Sequence, residues 1–102
     1  MPNWKVSLTD DAKADFKGLD GSEKIFIAKQ LLKLERDPEI GHPLGTKMGL
    51  DLTGYYKVYA DKKRLRIVYL IEDDLVKIVA IGKREDMEIY QLASKRRAKQ
   101  PE

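Results

Sequence analysis

The chain has no cysteine and only one histidine among its 102 residues. The first absence excludes disulfides, thiolate metal sites and cysteine nucleophiles. The second excludes a two-histidine nuclease and any histidine-rich metal centre. His42 itself stands between Gly41 and Pro43, neighbours that place it in a loop rather than at a catalytic post. No apolar run approaches the roughly 20 residues that a membrane helix requires. Residues Met1 to Lys5 lack the apolar core of a secretion signal, so the expected location is cytoplasmic. Internal repeats and low-complexity runs are also missing. The length fits one domain, residues 1–102, with no room for a second independent core.

Charge is plentiful. Charged residues make up 36% of the chain and apolar ones 42%, which implies a small core under an ion-rich surface. The net charge of +3 is unevenly spread. Residues 1–40 carry 7 basic and 8 acidic side chains, whereas residues 41–102 carry 13 and 9. From Lys57 to Arg66, five cations (Lys57, Lys62, Lys63, Arg64 and Arg66) face Asp61 alone. Lys95, Arg96, Arg97 and Lys99 add a basic tail. Such a surface fits a polyanionic partner, nucleic acid or an acidic protein segment, but equally a merely soluble one.

The local signals give an element order. Trp4 to Leu8 alternates apolar and polar residues and reads as a strand. Thr9 can cap a helix whose first turn holds Asp10 and Asp11 and whose apolar stripe is Ala12, Phe16 and Leu19. Asp20 and Glu23 have the spacing of a capping box for a second helix. That helix carries two stripes, Ile25, Ala28, Leu32 and Ile27, Leu31, Leu34, which predict a wide buried face. It must end at Asp37, before Pro38. Residues 38–54, rich in glycine and proline, read as a loop that still offers Leu44, Met48, Leu50 and Leu52 to a core. Three strands follow, at 54–60, 65–71 and 75–81, and their short turns force an antiparallel meander. From Asp86, Ile89, Leu92 and Ala93 mark a short last helix, with residues 98–102 expected to fray. The order is β-α-α-β-β-β-α. It predicts an α+β fold: an antiparallel sheet with a helical hairpin on one face, the other face partly open.

Alternation then sorts the side chains. Tyr55, Lys57 and Tyr59 share one face of their strand and Tyr56, Val58 and Ala60 the other. On the next strand Arg64, Arg66 and Val68 oppose Leu65, Ile67, Tyr69 and Ile71. Lys57 and Arg66 thus fall on the same face of paired strands, with Arg84 and Tyr90 just past the third strand. A lysine, two arginines and a tyrosine suit RNA cleavage without a metal. The reaction needs a base for the ribose 2′-hydroxyl, cations for the phosphorane and an acid for the leaving 5′-oxygen. Like charge nearby favours a neutral, basic lysine, and arginine's fork fits phosphate oxygens. The same face could serve for binding alone. Asp10, Asp11 and Asp15 read as complements of a helix dipole rather than metal ligands.

The segments Tyr56-Lys57-Val58, Arg64 to Tyr69, Ile81 to Glu85 and Ile89-Tyr90, with Leu8-Thr9, Ala12 and Phe16 upstream, resemble the RelE/ParE toxin superfamily. The likeness is to its RelE branch and covers about residues 3–97. It implies the same fold and a toxin of a type II toxin–antitoxin system. Such toxins are mRNA interferases, endoribonucleases that cut message in the A site of the 30S ribosomal subunit without metal or cofactor. By position, Lys57 matches a lysine proposed as general base or charge stabiliser. Arg66 matches an arginine that holds the scissile phosphate, Arg84 one proposed as transition-state stabiliser or acid, and Tyr90 a tyrosine that stacks on the substrate base. The family pattern has a second lysine two residues after the first; here that position is Tyr59. Phosphate stabilisation would then be weaker, or Lys62, Lys63 or Arg64 would have to supply the missing cation. With Lys83, Lys95, Arg96 and Arg97, these and Tyr59 form the expected RNA- and ribosome-binding set. The resemblance further implies a cognate RelB-like antitoxin, an acidic or amphipathic segment, in a hetero-oligomer. Two alternatives stand beside it: a ParE-type non-enzymatic toxin acting on DNA gyrase, and an RNA-binding module without turnover.

Overall fold

The computed structural model describes residues 4–47, 49–83 and 85–99. It holds β1 (Lys5–Leu8), α1 (Asp10–Lys17), α2 (Gly21–Arg36), a 3-10 turn (Pro38–Ile40), β2 (His42–Lys47), β3 (Leu50–Ala60), β4 (Leu65–Glu72), β5 (Leu75–Gly82) and α3 (Asp86–Lys99). The sheet order is β1-β5-β4-β3-β2, with β1 parallel to β5 and every other pair antiparallel.

The helix starts follow their capping residues. Thr9 accepts from the Ala12 N–H at 3.1 Å. At the head of α2, Asp20 accepts from the Glu23 N–H at 2.8 Å while Glu23 accepts from the Asp20 N–H at 3.0 Å. The Glu23 N–H, and the Ser22 hydroxyl, hold the Asp20 carboxyl below the usual carboxylate range. The second helix stops at Arg36, where Asp37 turns extended ahead of Pro38.

Only one of the two α2 stripes is buried. Ile27 and Leu34 are inaccessible and Leu31 packs partly against the core. Ile25 and Leu32 are 57% and 59% exposed. A helix on a single sheet can bury only the stripe that faces it, so the wide face expected from the sequence is half solvated.

Residues 38–54 also depart from expectation. Instead of a loop they supply the 3-10 turn, β2 and the first part of β3. Pro43 and Gly45 disguise β2, but it is an edge strand, where proline's missing N–H is tolerated. Its register shifts between those two residues, and Gly45 has a φ of +59°. His42 consequently lies in a strand, opposite Lys57. Behind it, the buried Tyr69 hydroxyl donates to the Pro38 carbonyl at 2.7 Å and accepts from the Gly41 N–H at 3.1 Å. A β-carbon on Gly41 would lie 2.3 Å from that hydroxyl and 2.7 Å from the Lys57 carbonyl, so only glycine fits.

Two cores flank the sheet. The helical hairpin gives Ala12, Leu19, Ile27 and Leu34 to one, against Val58, Leu65, Ile67, Tyr69, Val76 and Ile78. On the opposite face α3 lays Ile89, Tyr90 and Ala93 on Tyr55, Val68, Val79 and Ala80. That face, expected to be partly open, is therefore covered along α3. The helix is longer than expected and takes in residues 98 and 99, placed by sequence in a frayed tail.

Candidate active site

The β3–β4 hairpin builds the site. Val58 and Ala60 are buried against the helical hairpin. Alternation then forces Lys57 and Tyr59 to the α3 side of the sheet, as the sequence predicts. Register sets Tyr59 opposite Arg66, and Lys57 opposite Val68. The two cations accordingly sit diagonally across neighbouring strands, within reach of one another's partners.

Tyr59 is the centre of the arrangement. Lys57 Nζ donates to its hydroxyl at 2.6 Å. Arg66 Cζ lies 5.5 Å from its ring centroid, and so does Lys63 Nζ. These are cation–π distances. Lys57 Nζ also lies 5.6 Å from the ring of Tyr90, which reaches in from α3. Lys57, Arg66 and Tyr90, proposed together from sequence, are thus brought together. Arg84, the fourth, lies outside the described residues.

Tyr90 is buried. Its ring is 5% exposed and belongs to the core under α3. It forms a wall of the site beside Lys57.

The remaining basic residues divide. Lys62, Lys63 and Arg64 are exposed in the β3–β4 turn. Asp61, Lys62 and Lys63 take φ values of 51°, 55° and 75°, three consecutive left-handed non-glycine residues. Such conformations are costly for residues with a β-carbon and persist only where the surroundings impose them. Beside this turn, a groove of ≈ 410 Å³ runs against α2, lined by Lys29, Lys33, Lys62 and Lys63 with Phe26 and Tyr59. Lys83 pairs with Glu23 at 3.2 Å, although 64% of its side chain stays exposed. Lys95 is exposed.

Arg96 is a correction to the sequence reading. It is no part of a solvated basic tail. Its side chain is 12% exposed and makes a two-pronged pair with Asp15, 14% exposed, at 2.8 and 3.1 Å. It also donates to the Val79 carbonyl at 2.7 Å. Asp15 in turn accepts from the Ile81 N–H at 3.0 Å. β1 pairs with β5 only as far as Ile78, so Val79 to Gly82 would present a bare edge. The pair fills that edge and ties α1 to α3. The sequence reading missed Asp15 as its partner, because 81 residues separate the two and neither carries a local signal.

Arg97 also has a tether. It donates to the Asp51 and Thr53 carbonyls at 3.3 and 3.2 Å and lies 4.9 Å from the Tyr55 ring. Asp51 is held below the usual carboxylate range, chiefly by the Thr53 hydroxyl and N–H, with help from Arg97. These contacts pin the end of α3 to β3, away from Lys57. Among the described residues no three histidine, aspartate or glutamate side chains gather as metal ligands. Nor is any helix among them long and apolar enough to cross a membrane.

Comparison with known proteins adds a family context. Residues 6–88 match the family model for the ParE toxin of the type II toxin-antitoxin system, parDE. A RelE-like toxin protein of Escherichia coli is 32% identical over 95 residues, which are 91% of this chain and 96% of that protein. The fold is similar to that of the isolated E. coli RelE toxin, with a TM-score of 0.67 and 23% identity over 91% of this chain and 97% of that one. It is equally similar, at 0.67 and 24% identity, to a chain of the RelBE2 toxin–antitoxin complex of Mycobacterium tuberculosis, covering 80% and 99%.

Proposed function

Because the chain belongs to the RelE-like branch of the RelE/ParE toxin superfamily and is a type II toxin, we propose that it is a ribosome-dependent endoribonuclease. Its substrate is message in the A site of the 30S subunit. The observation that supports this most is the gathering of Lys57, Lys63 and Arg66 about one tyrosine on one side of the sheet. A cationic pocket of that kind suits a phosphate on which negative charge accumulates.

In this reading Lys57, as a free amine, takes the proton of the ribose 2′-hydroxyl. The 2′-oxygen forms its bond to phosphorus while the bond from phosphorus to the 5′-oxygen breaks. Arg66 and Lys63 hold the non-bridging oxygens, and the leaving 5′-oxygen takes a proton from Arg84 or from water. The products are a 2′,3′-cyclic phosphate and a 5′-hydroxyl. Arg84 enters on the resemblance; in the chain it stands two residues after Gly82, which pairs with Arg66. Tyr90 walls the site beside Lys57. No step calls for a metal or a cofactor. The lysine-lined groove and the exposed Lys62, Arg64, Lys83 and Lys95 offer the RNA backbone a path to this pocket.

The partner in the cell is proposed to be a cognate RelB-like antitoxin, an acidic or amphipathic segment that masks the basic surface. The location is proposed to be cytoplasmic, where the ribosomes are. The test is mapping of mRNA ends in a translating extract. Wild-type toxin should create new ends within codons, and Arg84→Ala should slow this by about 10²–10³-fold, as for loss of one transition-state donor. The absence of new ends would remove the nuclease reading. The ParE description of the matching family favours a second one, a non-enzymatic toxin of DNA gyrase. Growth arrest with intact message and a DNA-damage response would select it. Salt-sensitive RNA affinity without any product would instead leave a binding module.

A further inference from the structure

His42, which its glycine and proline neighbours disguise in the sequence, lies in β2 with its Cα paired to that of Lys57. Residues paired in this way point to the same face of a sheet, with their β-carbons about 5 Å apart. Leu44, two residues further on, marks the same face: it is buried in the core under α3, together with Tyr55. The imidazole therefore stands on the Lys57 side of the sheet. It is exposed, whereas Lys57 is half-buried. Across the sheet the order is His42 on β2, Lys57 on β3 and, diagonal to Lys57, Arg66 on β4.

Cleavage makes one demand that these cations meet poorly. The departing 5′-oxygen needs a proton, but arginine holds its own too tightly and water is a weaker acid still. Imidazole is the side chain that carries a proton and gives it up near neutral pH. Displacement at phosphorus also needs the entering and leaving oxygens in line, so the group serving each must stand on its own side of the phosphate. Lys57 and His42 rise from neighbouring strands on one face and can flank a single phosphate. A phosphodiester between them carries negative charge, which favours the protonated ring.

We propose that His42 is a further catalytic residue, the general acid that protonates the leaving 5′-oxygen. The imidazolium N–H passes its proton to that oxygen as the bond to phosphorus breaks. The ring is left neutral, and solvent, which reaches it, returns the proton. The proposal deepens the nuclease reading above and rests on it. It holds whether Lys57 serves as base or as charge stabiliser.

Ribosomes programmed with a short message provide the test. His42→Gln should lower kcat about 10²-fold or more, the usual share of a general acid, with the melting temperature unchanged because the side chain is exposed. A second message carries sulfur in place of the bridging 5′-oxygen at the cut. A thiolate departs without a proton, since thiols are far stronger acids than alcohols. On this message the loss in His42→Gln should all but vanish, while Lys57→Met stays slow on both. Wild-type kcat in His42→Gln overturns the proposal. So does an equal loss on the two messages, which marks a binding or structural residue, and so does equal rescue of Lys57→Met. If the wild type cuts neither message, the nuclease reading itself fails and the acid role with it. Placement is decided without any cleavage. His42 is the chain's only histidine, so it gives one ring signal in proton NMR. A nuclear Overhauser contact from that ring to the Lys57 side chain is expected, and its absence refutes the arrangement.

Discussion

Arg96 offers the sharpest test, because the charge pattern and the folded chain assign it opposite roles. Its guanidinium and the Asp15 carboxylate are 12% and 14% exposed and meet through two hydrogen bonds. Removing one partner of a buried pair costs about 3–5 kcal/mol, since the other charge stays behind unpaired. Both side chains keep some contact with water, so the lower end, about 3 kcal/mol, applies to Arg96→Met. Marginal stability makes this a large fraction of the total, and it should lower the melting temperature by roughly 12–24 °C. Asp15→Ala should cost a similar amount, because it also strands the Ile81 N–H. The double variant leaves no buried lone charge, since the other carboxylate beside Arg96, Asp11 at 3.7 Å, is 40% exposed; it should be far more stable than the sum of the two losses implies. Urea unfolding of all four proteins gives the coupling directly, expected at about 2 kcal/mol or more. A coupling below about 0.5 kcal/mol, the range of exposed pairs, would refute the reasoning. So would an Arg96→Met protein with an unchanged urea midpoint but weakened RNA affinity; the arginine would then face substrate, not Asp15.

Burial pushes the Tyr69 hydroxyl up to about 12, from an ordinary value near 10. The folded state therefore keeps a proton that the unfolded chain releases. Its stabilising effect is complete below about pH 10 and is lost as pH rises toward 12, by up to about 2.7 kcal/mol. Unfolding in urea across that window should show the loss in the wild type and a flatter profile in Tyr69→Phe; parallel losses would contradict the burial argument. For the antitoxin, exchanging Lys62, Lys63 and Arg64 for glutamate should abolish complex formation in a pull-down with the cognate partner, whereas unchanged affinity would exclude this surface as its seat.

Much of the site was written in short-range pattern. Lys57 and Tyr59 share a face because strands alternate, and Arg66 joins them because a four-residue turn returns the chain antiparallel. What pattern could not give was the distance from Lys57 to the Tyr59 oxygen, which made an apparent lost cation into a partner. Nor could it show that Tyr90 turns its ring into the core under α3.

The boundaries of α1 and α2 and the β3–β5 meander follow from the sequence alone. Their causes are capping side chains, prolines and turn residues that act within a few positions of themselves. Tertiary structure decided which stripe of α2 is buried, that Pro43 and Gly45 lie in an edge strand, and that Arg96 closes on Asp15. Each depends on partners that come near only when the sheet is assembled. No local signal encodes a contact whose energy comes from excluding water between distant parts of the chain.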